Sequence, residues 1–473
     1  MFKYQSDRIA TMERQTNIWN EKIQPLFDRR VLAFQSQTSC GRKREVNLDH
    51  AATTPPFLAV EEAVNAFLGS YGSVHRGAGY RSMRSTDAYE QARERIRRFC
   101  GASDQNYVVF TANTTGAINQ AAELFRAVPG KVLLSDIEHS SNRLPWERHH
   151  EVVWYRTTNE GIVDLDEIEK VFKKEEDIKL LTITGSSNVT GYRPPLYDLA
   201  SLAHRHGAQI LVDVCQLIPH HQVDILPDDH PSHLDFIAFS GHKMYAPFGA
   251  GVLVGPKSFF DCVTPYQLGG GNLPYITRDL VIKRFTTVQS HDPGTPNAMG
   301  ALAIASAIDV LADLDYNKIQ GYESVLVKEA WDGLCAISGV QAHVPREKLG
   351  SVLPFDISGF DPYLVAEILA QEYGIGVRAG SFCTYELIRK MKNISDEQDR
   401  ALAEEVQEGI TRNIPGMVRA SFSLINRCED VSRFVSAVDE MVSRGSGFYG
   451  KRYRQDEKTG RWRLNSDVVS GRE

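Results

Sequence analysis

Residues 239–255 read FSGHKMYAPFGAGVLVG, an apolar strand ending at Ser240, a small turn that carries Lys243, and a glycine-rich return into another strand. Lysines are uncommon in such apolar surroundings. Burial favours the neutral amine, which is the form that condenses with an aldehyde. A solvated surface lysine is the ordinary alternative, and the flanking residues disfavour it. The run therefore predicts that Lys243 forms a Schiff base at the end of a strand.

Short β-rich runs lie on both sides of this turn and alternate with amphipathic segments. Apolar runs separated by helices are typical of a mostly parallel sheet covered on both faces. We therefore predict an α/β fold with a large domain built on such a sheet. The predicted strands lie at residues 106–111, 131–136, 151–156, 178–184, 208–214, 234–240 and 251–255.

The rest of the chain divides into three further parts around this large domain, which we place at residues 46–315. Residues 1–45 are predicted to form an N-terminal helical arm. Residues 316–443 mix helical and extended runs, which predicts a smaller C-terminal α+β domain. Residues 444–473 are glycine-rich and charged without periodicity, so we predict a loosely ordered tail.

Composition narrows the class of partner. A net charge of −7 over 473 residues gives no field that would hold nucleic acid or an anionic membrane, which favours a small-molecule substrate. The start of the chain lacks the apolar core of a signal peptide, and no run of about 18 apolar residues offers a membrane span. We therefore expect a cytoplasmic protein.

The cysteines are scattered, with no CxxC pair or histidine spacing suited to zinc, so we expect reduced thiols and no metal site. They are Cys40, Cys100, Cys215, Cys262, Cys335, Cys383 and Cys428.

Two further segments are candidate ligand sites, one for a phosphate and one for a ring with a protonated nitrogen. FTANTTGAIN at 110–119 is a strand end followed by a helix start, whose free N–H groups suit a phosphate. The alternative is a helix N-cap by Thr114 or Thr115. In LVDVCQ at 211–216, Asp213 ends an apolar strand at the edge where α/β sheets bind ligands, and it could pair with a protonated ring nitrogen. Its alternative is a cap of the next helix.

Together these pieces resemble the class V aminotransferase-fold enzymes that use pyridoxal 5′-phosphate (PLP), and most of all cysteine desulfurases of the SufS and selenocysteine-lyase type. The resemblance covers about 385 residues and implies the PLP-dependent transferase fold type I. It rests on NLDHAATTP (47–55), SVHRGAGYRS (73–82), EHSSNRLPW (138–146), SSNVTGYRPPL (186–196), GTPN (294–297), VRAGSFC (377–383) and VRASFSLINRCEDV (418–431).

The resemblance implies a role for each residue of a cofactor site. Lys243 would be the Schiff-base lysine, Asp213 the partner of the pyridinium nitrogen, and Gln216 a hydrogen-bond partner of the ring hydroxyl. His139 would stack on the ring and share in proton transfer; its alternative is a core histidine. The residues implied to hold the phosphate are Thr114, Thr115, Ser240 and His242, with Thr295 of the other subunit of a homodimer.

The resemblance also implies a substrate site. Asn188 and Arg419 would bind the α-carboxylate, for which a guanidinium is suited. Arg378 would steady a mobile loop or the substrate. Cys383 would attack the sulfur of L-cysteine and become a persulfide, with release of L-alanine. Asn188 could instead be a turn former, and Cys383 an inert buried thiol.

The sequence departs from this family at several points. Ser381 and Phe382 replace two histidines that are common in it, and the 36 positions from Cys383 to Arg419 exceed its usual length. The insertion at 387–413 is predicted to be helical and polar, lying over the site or facing a partner. Asn113 replaces a frequent glycine, which we expect it to tolerate because asparagine enters positive φ easily.

Two other functions remain open at this point. The first is another reaction on the same scaffold, such as C–S lysis, epimerisation or transamination, in which Cys383 is incidental. The second is a non-catalytic adaptor that binds a partner through the insertion. The sequence leaves the sulfur acceptor and the preference for cysteine or selenocysteine open.

Overall fold

The computed structural model describes residues 11–279, 282–283 and 287–465. Residues 1–10 of the predicted arm and 466–473 of the predicted tail lie outside the described residues. Within the described part of the chain, no helix is both long enough and apolar enough to cross a bilayer.

The strands of the described residues are numbered in chain order. They are β1 Gln35–Thr38, β2 Gly41–Arg44, β3 Val46–Asn47, β4 Asn106–Thr111, β5 Lys131–Ser135, β6 Val152–Tyr155, β7 Ile178–Thr184, β8 Gln209–Asp213, β9 Phe236–Ser240, β10 Gly251–Pro256, β11 Tyr275–Ile276, β12 Ile282–Lys283, β13 Val340–Ala342, β14 Val352–Ile357, β15 Ile375–Gly376, β16 Arg378–Gly380, β17 Met417–Ser421, β18 Tyr453–Gln455 and β19 Trp462–Leu464.

The α-helices are numbered in the same way. They are α1 at residues 11–18, then α2 Arg29–Leu32, α3 Leu58–Leu68, α4 Tyr80–Phe99, α5 Thr114–Phe125, α6 Leu144–His149, α7 Leu165–Lys174, α8 Leu196–Arg205, α9 Lys257–Cys262, α10 Ala298–Leu314, α11 Tyr316–Cys335, α12 Pro362–Ile368, α13 Tyr385–Met391, α14 Asp396–Gln407, α15 Cys428–Arg444 and α16 Ser446–Arg452. Short 3₁₀ or π turns lie at Trp19–Ile23, Gln24–Leu26, Ser140–Asn142, Gly241–Lys243, Val288–His291, Arg346–Lys348 and Leu369–Tyr373.

All seven predicted runs are strands of one sheet, in the order β4-β10-β9-β8-β7-β5-β6. The pairs among β5, β6, β7, β8 and β9 are parallel, whereas β10 runs antiparallel to both β9 and β4. The prediction of a mostly parallel sheet is therefore confirmed. Because parallel strands end at the same edge, the last residues of β8 and β9, Asp213 and Ser240, lie near each other.

The inner strands of this sheet bury side chains on both faces, as expected for a sheet between two layers of helices. On β8, Ile210 and Val212 belong to one apolar cluster, whereas Leu211, which points the other way, belongs to a second. Helix α5 and Trp146 cover the face that carries Leu211. This double coverage explains why the strands read as continuous apolar runs.

A second sheet is antiparallel, in the order β13-β14-β17-β16. Its register places Arg378 on β16 directly opposite Arg419 on β17. This part of the chain contains both extended and helical segments, as the sequence predicts, for example β14 and α12. The domain boundaries at residues 46, 316 and 444 stay predictions.

The two chain ends contain more regular structure than their composition predicted. Besides helices, the described part of the N-terminal arm contains the antiparallel hairpin of β1 and β2. In the tail, α16 is followed by the hairpin of β18 and β19. Tyr449 and Tyr453 are buried there, at 0% and 2% exposure. These aromatic side chains supply the apolar surface that orders this segment, which the charged composition concealed.

The insertion is helical, as its sequence predicts, and its two helices differ. Helix α13 buries Leu387 and Ile388, and its Lys390 pairs with the fully buried Asp136. Helix α14 begins with a capping box formed by Ser395 and Gln398, and it has no buried residue. The first helix is therefore anchored to the large sheet, whereas the second presents its surface to solvent.

Candidate active site

A cavity of about 320 Å³ lies where the carboxyl ends of β8 and β9 meet the start of α5 and the strands of the second sheet. All the residues that the sequence assigned to the site line it, with the exception of Thr295. Its lining residues are Ala51, Ala52, Asn113, Thr114, Thr115, His139, Ser141, Thr184, Asn188, Asp213, Cys215, Gln216, Ser240, His242, Lys243, Arg378, Phe382, Cys383 and Arg419.

Lys243 occupies the short turn Gly241–Lys243 that directly follows β9. The turn lies tightly against α10, because a Cβ added to Gly241 would be only 2.7 Å from the Ile304 Cγ1 atom. Among the described residues, no carboxylate oxygen lies within 4.0 Å of the Lys243 Nζ atom. The amine is thus free of an ion pair and lines the cavity, as imine chemistry requires.

Asp213 ends β8 and is 6% exposed. One of its carboxylate oxygens accepts a hydrogen bond from the Cys215 N–H at 3.0 Å, and it makes no other hydrogen bond to the described residues. Burial raises the pKa of Asp213, against the opposing effects of this hydrogen bond and of Lys243. Asp213 can therefore accept a further hydrogen bond from a cationic N–H group. Such a cation would lower the pKa of Asp213 again and keep the carboxylate ionised.

The cap of α5 differs from the alternative that the sequence offered. Asn113, and neither Thr114 nor Thr115, is the N-cap: its side chain accepts from the Gly116 N–H at 2.9 Å. Its φ of −173° is extended, so the expected positive φ is wrong. Asparagine suits this position because its side-chain oxygen caps the helix.

The threonines of this helix start bind hydroxyl groups of neighbouring segments. The Thr114 N–H donates to the Ser240 Oγ at 2.6 Å, and the Thr115 Oγ1 lies 2.8 Å from the Ser141 Oγ. His242 lines the same end of the cavity, and burial, with Lys243 second, lowers its pKa to about 4. Together with the N-terminus of α5, these groups form a neutral, donor-rich end suited to an anion.

His139 precedes the turn Ser140–Asn142 and lines the cavity. Its Nδ1 atom accepts a hydrogen bond from the Ser141 N–H at 3.1 Å. Burial, helped by the charges of Lys243 and Arg419, lowers the pKa of His139 to about 4. The ring is therefore neutral near pH 7, and its proton is on Nε2, because the amide can only donate to Nδ1.

Beneath His139, Glu138 is part of a buried network that the sequence analysis did not identify. Its oxygens accept from the Ser135 Oγ at 2.6 Å and from the Asn142 Nδ2 at 2.7 Å. The Asn142 Oδ1 in turn accepts from Trp146 and from Thr182. The network fixes both ends of the segment that carries His139. In the sequence, only the acidic residue before His139 in EHSSN (138–142) pointed to such a network.

We expect Glu138 to make the protein less stable as the pH rises. Burial raises its pKa from 4.5 to about 8, so between these values the folded protein holds a proton that the unfolded chain has lost. Glu138→Gln removes this penalty while keeping a hydrogen-bonding side chain. The free energy of unfolding of both proteins is measured by urea unfolding. Between pH 5 and pH 8, the value for the variant minus the value for the wild type should increase by about 2–4 kcal/mol. A difference that is independent of pH would contradict a protonated Glu138.

The two arginines of the second sheet share one carboxylate. Arg419 donates from Nη2 to the Asp49 Oδ1 at 3.0 Å, and Arg378 donates from Nη2 to the Asp49 Oδ2 at 2.8 Å. Arg419 is 2% exposed and also donates to the Asn188 carbonyl oxygen. Burial lowers its pKa to about 10, although Asp49 opposes this shift. Its Nε–H is buried without a hydrogen-bond partner among the described residues.

Cys383 is exposed and lies in a conformationally restricted loop on the cavity wall. Phe382 and Cys383 have φ of 55° and 58°, a left-handed conformation that non-glycine residues rarely adopt. The Cys383 carbonyl oxygen accepts from the Ser140 N–H at 2.7 Å. This bond attaches the thiol loop to the turn that follows His139.

Asn188 fixes the same loop with both ends of its amide. Its Nδ2 donates to the Phe382 carbonyl oxygen at 2.6 Å, and its Oδ1 accepts from the Thr384 Oγ1 at 2.8 Å. The side chain therefore binds the loop, and contact with a carboxylate would require it to release Phe382. Its predicted carboxylate role stays a prediction.

Two predicted residues remain, Gln216 and Thr295. Gln216 lines the cavity, and its Nε2 donates to the Ala51 carbonyl oxygen at 2.7 Å. Thr295 is exposed and does not line the cavity within the described part of this chain. Its predicted contact across a dimer stays a prediction.

These residues fit the cofactor that the sequence predicts. The orphaned acceptor of Asp213 suits a pyridinium N–H, the neutral helix start suits a phosphate, and the unpaired amine of Lys243 suits an aldehyde. No group in the lining conflicts with this arrangement.

Comparison with known proteins agrees with this geometry. The family model for aminotransferase class-V matches residues 46–434. A probable cysteine desulfurase of Halalkalibacterium halodurans is 33% identical over 406 residues, which are 84% of this chain and 92% of the relative. The cysteine desulfurase CsdA of Escherichia coli is 32% identical over 422 residues, 86% of this chain and 97% of CsdA.

Solved structures give the same result. The apo cysteine desulfurase of Thermococcus onnurineus superimposes with a TM-score of 0.75 at 30% identity, covering 84% of this chain and 95% of that one. The crystal structure of Escherichia coli CsdA gives 0.71 at 29% identity with the same coverage. This chain belongs to the class-V aminotransferase family and is similar, along most of its length, to the cysteine desulfurases of that family.

Proposed function

We propose that this chain is a PLP-dependent cysteine desulfurase that converts L-cysteine to L-alanine and transfers the sulfur to its own Cys383. The observation that carries the proposal is the presence of Cys383, Lys243 and Arg419 in the lining of one cavity. A thiol nucleophile, an amine and a carboxylate-binding cation are the three groups that this reaction needs from the protein.

PLP would be held by Lys243 at its aldehyde, by Asp213 at its ring nitrogen, and by the start of α5 with Ser240 and His242 at its phosphate. When bound, it supplies an electron sink that weakens the bonds at the substrate α-carbon. The protein contributes orientation: Lys243 presents its amine as the base for the α-proton, and Asp213 keeps the ring nitrogen protonated.

The substrate carboxylate would bind at Arg419, a cation that lines the cavity. Asp49 accepts a hydrogen bond from the Arg419 Nη2 and another from the Arg378 Nη2. It therefore fixes the direction of both cations and partly offsets their charge. A substrate anion is favoured because two guanidinium groups share one carboxylate, which leaves a net positive charge.

The sulfur transfer balances without an external oxidant or reductant. The Cys383 thiolate attacks the sulfur of L-cysteine, a new S–S bond forms, and the bond from Cβ to sulfur breaks. Cβ takes up a proton, so alanine leaves and Cys383 is a persulfide. His139 holds its proton on Nε2 and is next to the thiol loop, so it is placed to hydrogen-bond sulfur or to pass a proton.

Removal of Arg419 should weaken substrate binding much more than cofactor binding. Arg419→Ala removes a charge-assisted carboxylate contact and leaves the helix start intact, so we expect KM for L-cysteine to rise about 10²-fold. Arg419→Lys should recover only part of this, because an ammonium cannot reproduce the planar fork. The affinity for PLP is measured separately, by titration of the protein with PLP followed by absorbance. An equal loss of both affinities would argue against a carboxylate site.

The activity itself is tested by incubating the purified protein with PLP and L-cysteine. Desulfuration yields alanine and a persulfide on the peptide that contains Cys383. Pyruvate with ammonia would instead identify C–S lysis by elimination. A protein without a visible PLP absorption band and without any product would revive the non-catalytic adaptor.

Three further parts of the proposal concern its setting. We infer a homodimer, in which the exposed Thr295 reaches the phosphate of the other subunit. We infer an acceptor protein for the sulfur, for which the exposed helix α14 of the insertion offers a docking surface. We infer a cytoplasmic location, where the free cysteines stay reduced.

A further inference from the structure

A second group of ligand-type side chains lies at the opposite edge of the large sheet from the cavity. Asp235 comes directly before β9, whose other end leads to Lys243, and His233 is two residues earlier. His204 is near the end of α8. One nitrogen or oxygen atom from each of the three lies within 4.8 Å of the others.

The polypeptide around Asp235 holds these side chains together. Asp235 is 8% exposed and accepts from the Ile210 N–H at 2.8 Å, which fixes it to the start of β8. Helix α8 is joined to the loop before β9 by the Ser201 and Ser232 hydroxyls, 2.7 Å apart. Both histidine side chains are 20% exposed, so an ion from solvent can reach them.

Backbone carbonyls determine which ring nitrogens carry protons. The His204 Nδ1 lies 2.8 Å from the Pro231 carbonyl oxygen, and the His233 Nδ1 lies 2.7 Å from the His230 carbonyl oxygen. A carbonyl oxygen only accepts, so both Nδ1 atoms carry hydrogen. In a neutral ring the Nε2 atom then has a bare lone pair.

Both of these Nε2 atoms face the same carboxylate. The His204 Nε2 is 2.9 Å from the Asp235 Oδ2, and the His233 Nε2 is 3.2 Å from the Asp235 Oδ1. Lone pairs cannot face anionic oxygens without a positive charge between them. Ring protons can supply it, since the hydrogen bonds to Asp235 raise the pKa of both His204 and His233. Because the two rings are stacked at 4.3 Å, however, protonation of both would place two like charges face to face. One divalent cation satisfies all three groups at once.

We propose that His204, His233 and Asp235 bind a divalent transition-metal ion, for which zinc is the best match. Two imidazole nitrogens and one carboxylate are a common zinc ligand set, with water in the fourth position. Ligand histidines in zinc sites generally donate their other N–H to a carbonyl or carboxylate, as both do in this protein. The ion would tie α8 to the chain entering β9.

The prediction of no metal site came from the cysteines and from local histidine spacing. His204 is separated from His233 by 29 positions, so no short motif contains all three ligands. Only the packing of α8 beside β8 and β9 brings them together. The site is independent of the proposed function, since it shares no residue with the cavity.

The test is titration of the chelator-treated, PLP-loaded protein with Zn²⁺. We expect one tight site in the wild type and at least about 100-fold weaker binding in His204→Gln and in His233→Gln. His206→Gln is the matched control, because His206 is two residues from His204 and stacks on Phe172 instead. PLP absorbance and turnover should be unchanged in all three variants. Zn²⁺ should raise the Tm of the wild type and control alone.

Co²⁺ distinguishes this site from a thiol site. Nitrogen and oxygen ligands give visible cobalt bands without the near-ultraviolet charge-transfer band of a thiolate. A wild type without a tight site, binding that survives in His233→Gln, or a thiolate band that disappears in Cys383→Ser would each overturn the proposal. If a variant loses PLP and fails to fold, the cobalt spectrum of the wild type decides alone.

Discussion

Lys243→Ala is expected to eliminate covalent attachment of PLP and to lower the rate of alanine formation by about 10³-fold or more. Lys243 is the lysine that lines the cavity in the described structure, and the same amine is proposed as the base at the substrate α-carbon. One substitution thus removes two functions. The phosphate and ring contacts do not involve this side chain, so the variant should still bind PLP non-covalently.

Borohydride reduction followed by peptide mapping measures this directly. The wild type should carry the reduced cofactor on the peptide that contains Lys243, and the variant on no peptide. Lys257→Ala is a suitable control, because Lys257 follows the neighbouring strand β10 but lies over the Tyr107 ring, away from the cavity. Cofactor attached to another lysine would overturn the central assignment of the site.

The sheet could be predicted from the sequence because its strands are buried on both faces. A run such as AQILVDV at 208–214 is short and rich in β-branched residues, which is typical of a central strand, and the polar residue near its end marks the ligand edge. The antiparallel direction of β10 could not be predicted. An apolar run buried on both faces has the same composition in either direction.

Contacts between distant segments were the part of the site that the sequence could not provide. Asp49 is inside the motif NLDHAATTP, but only the pairing of β16 with β17 brings both arginines to it. Asn188 has the composition of a turn residue, and its binding to the Phe382 loop joins positions 194 residues apart. Asn113 was expected to have positive φ because the family position is often glycine. The structure instead uses its side chain as a cap.

Cys383→Ser should separate substrate binding from turnover. The loop around Cys383 is held by its backbone: Ser140 donates to the Cys383 carbonyl oxygen, and Asn188 donates to that of Phe382. Neither bond involves the thiol. Serine has a similar size to cysteine and also carries one heavy atom on Cβ. The left-handed conformation at this position is therefore no harder to adopt than in the wild type. Folding, PLP binding and the absorbance change on adding L-cysteine should therefore persist.

Alanine production by Cys383→Ser should fall by about 10³-fold or more, because a hydroxyl is a poor nucleophile towards sulfur and is not ionised near neutral pH. Cys262→Ser is the control, since Cys262 is also exposed but lies at the end of α9, outside the cavity lining.

Alanine formed by Cys383→Ser at the wild-type rate would show that Cys383 is not the sulfur acceptor. If wild type and variant both yielded pyruvate, the reaction would be elimination, because that chemistry needs the base Lys243 and no thiol. The two substitutions together therefore assign the reaction. If turnover is lost in Lys243→Ala but not in Cys383→Ser, the reaction is C–S lysis. If turnover is lost in both variants, it is desulfuration.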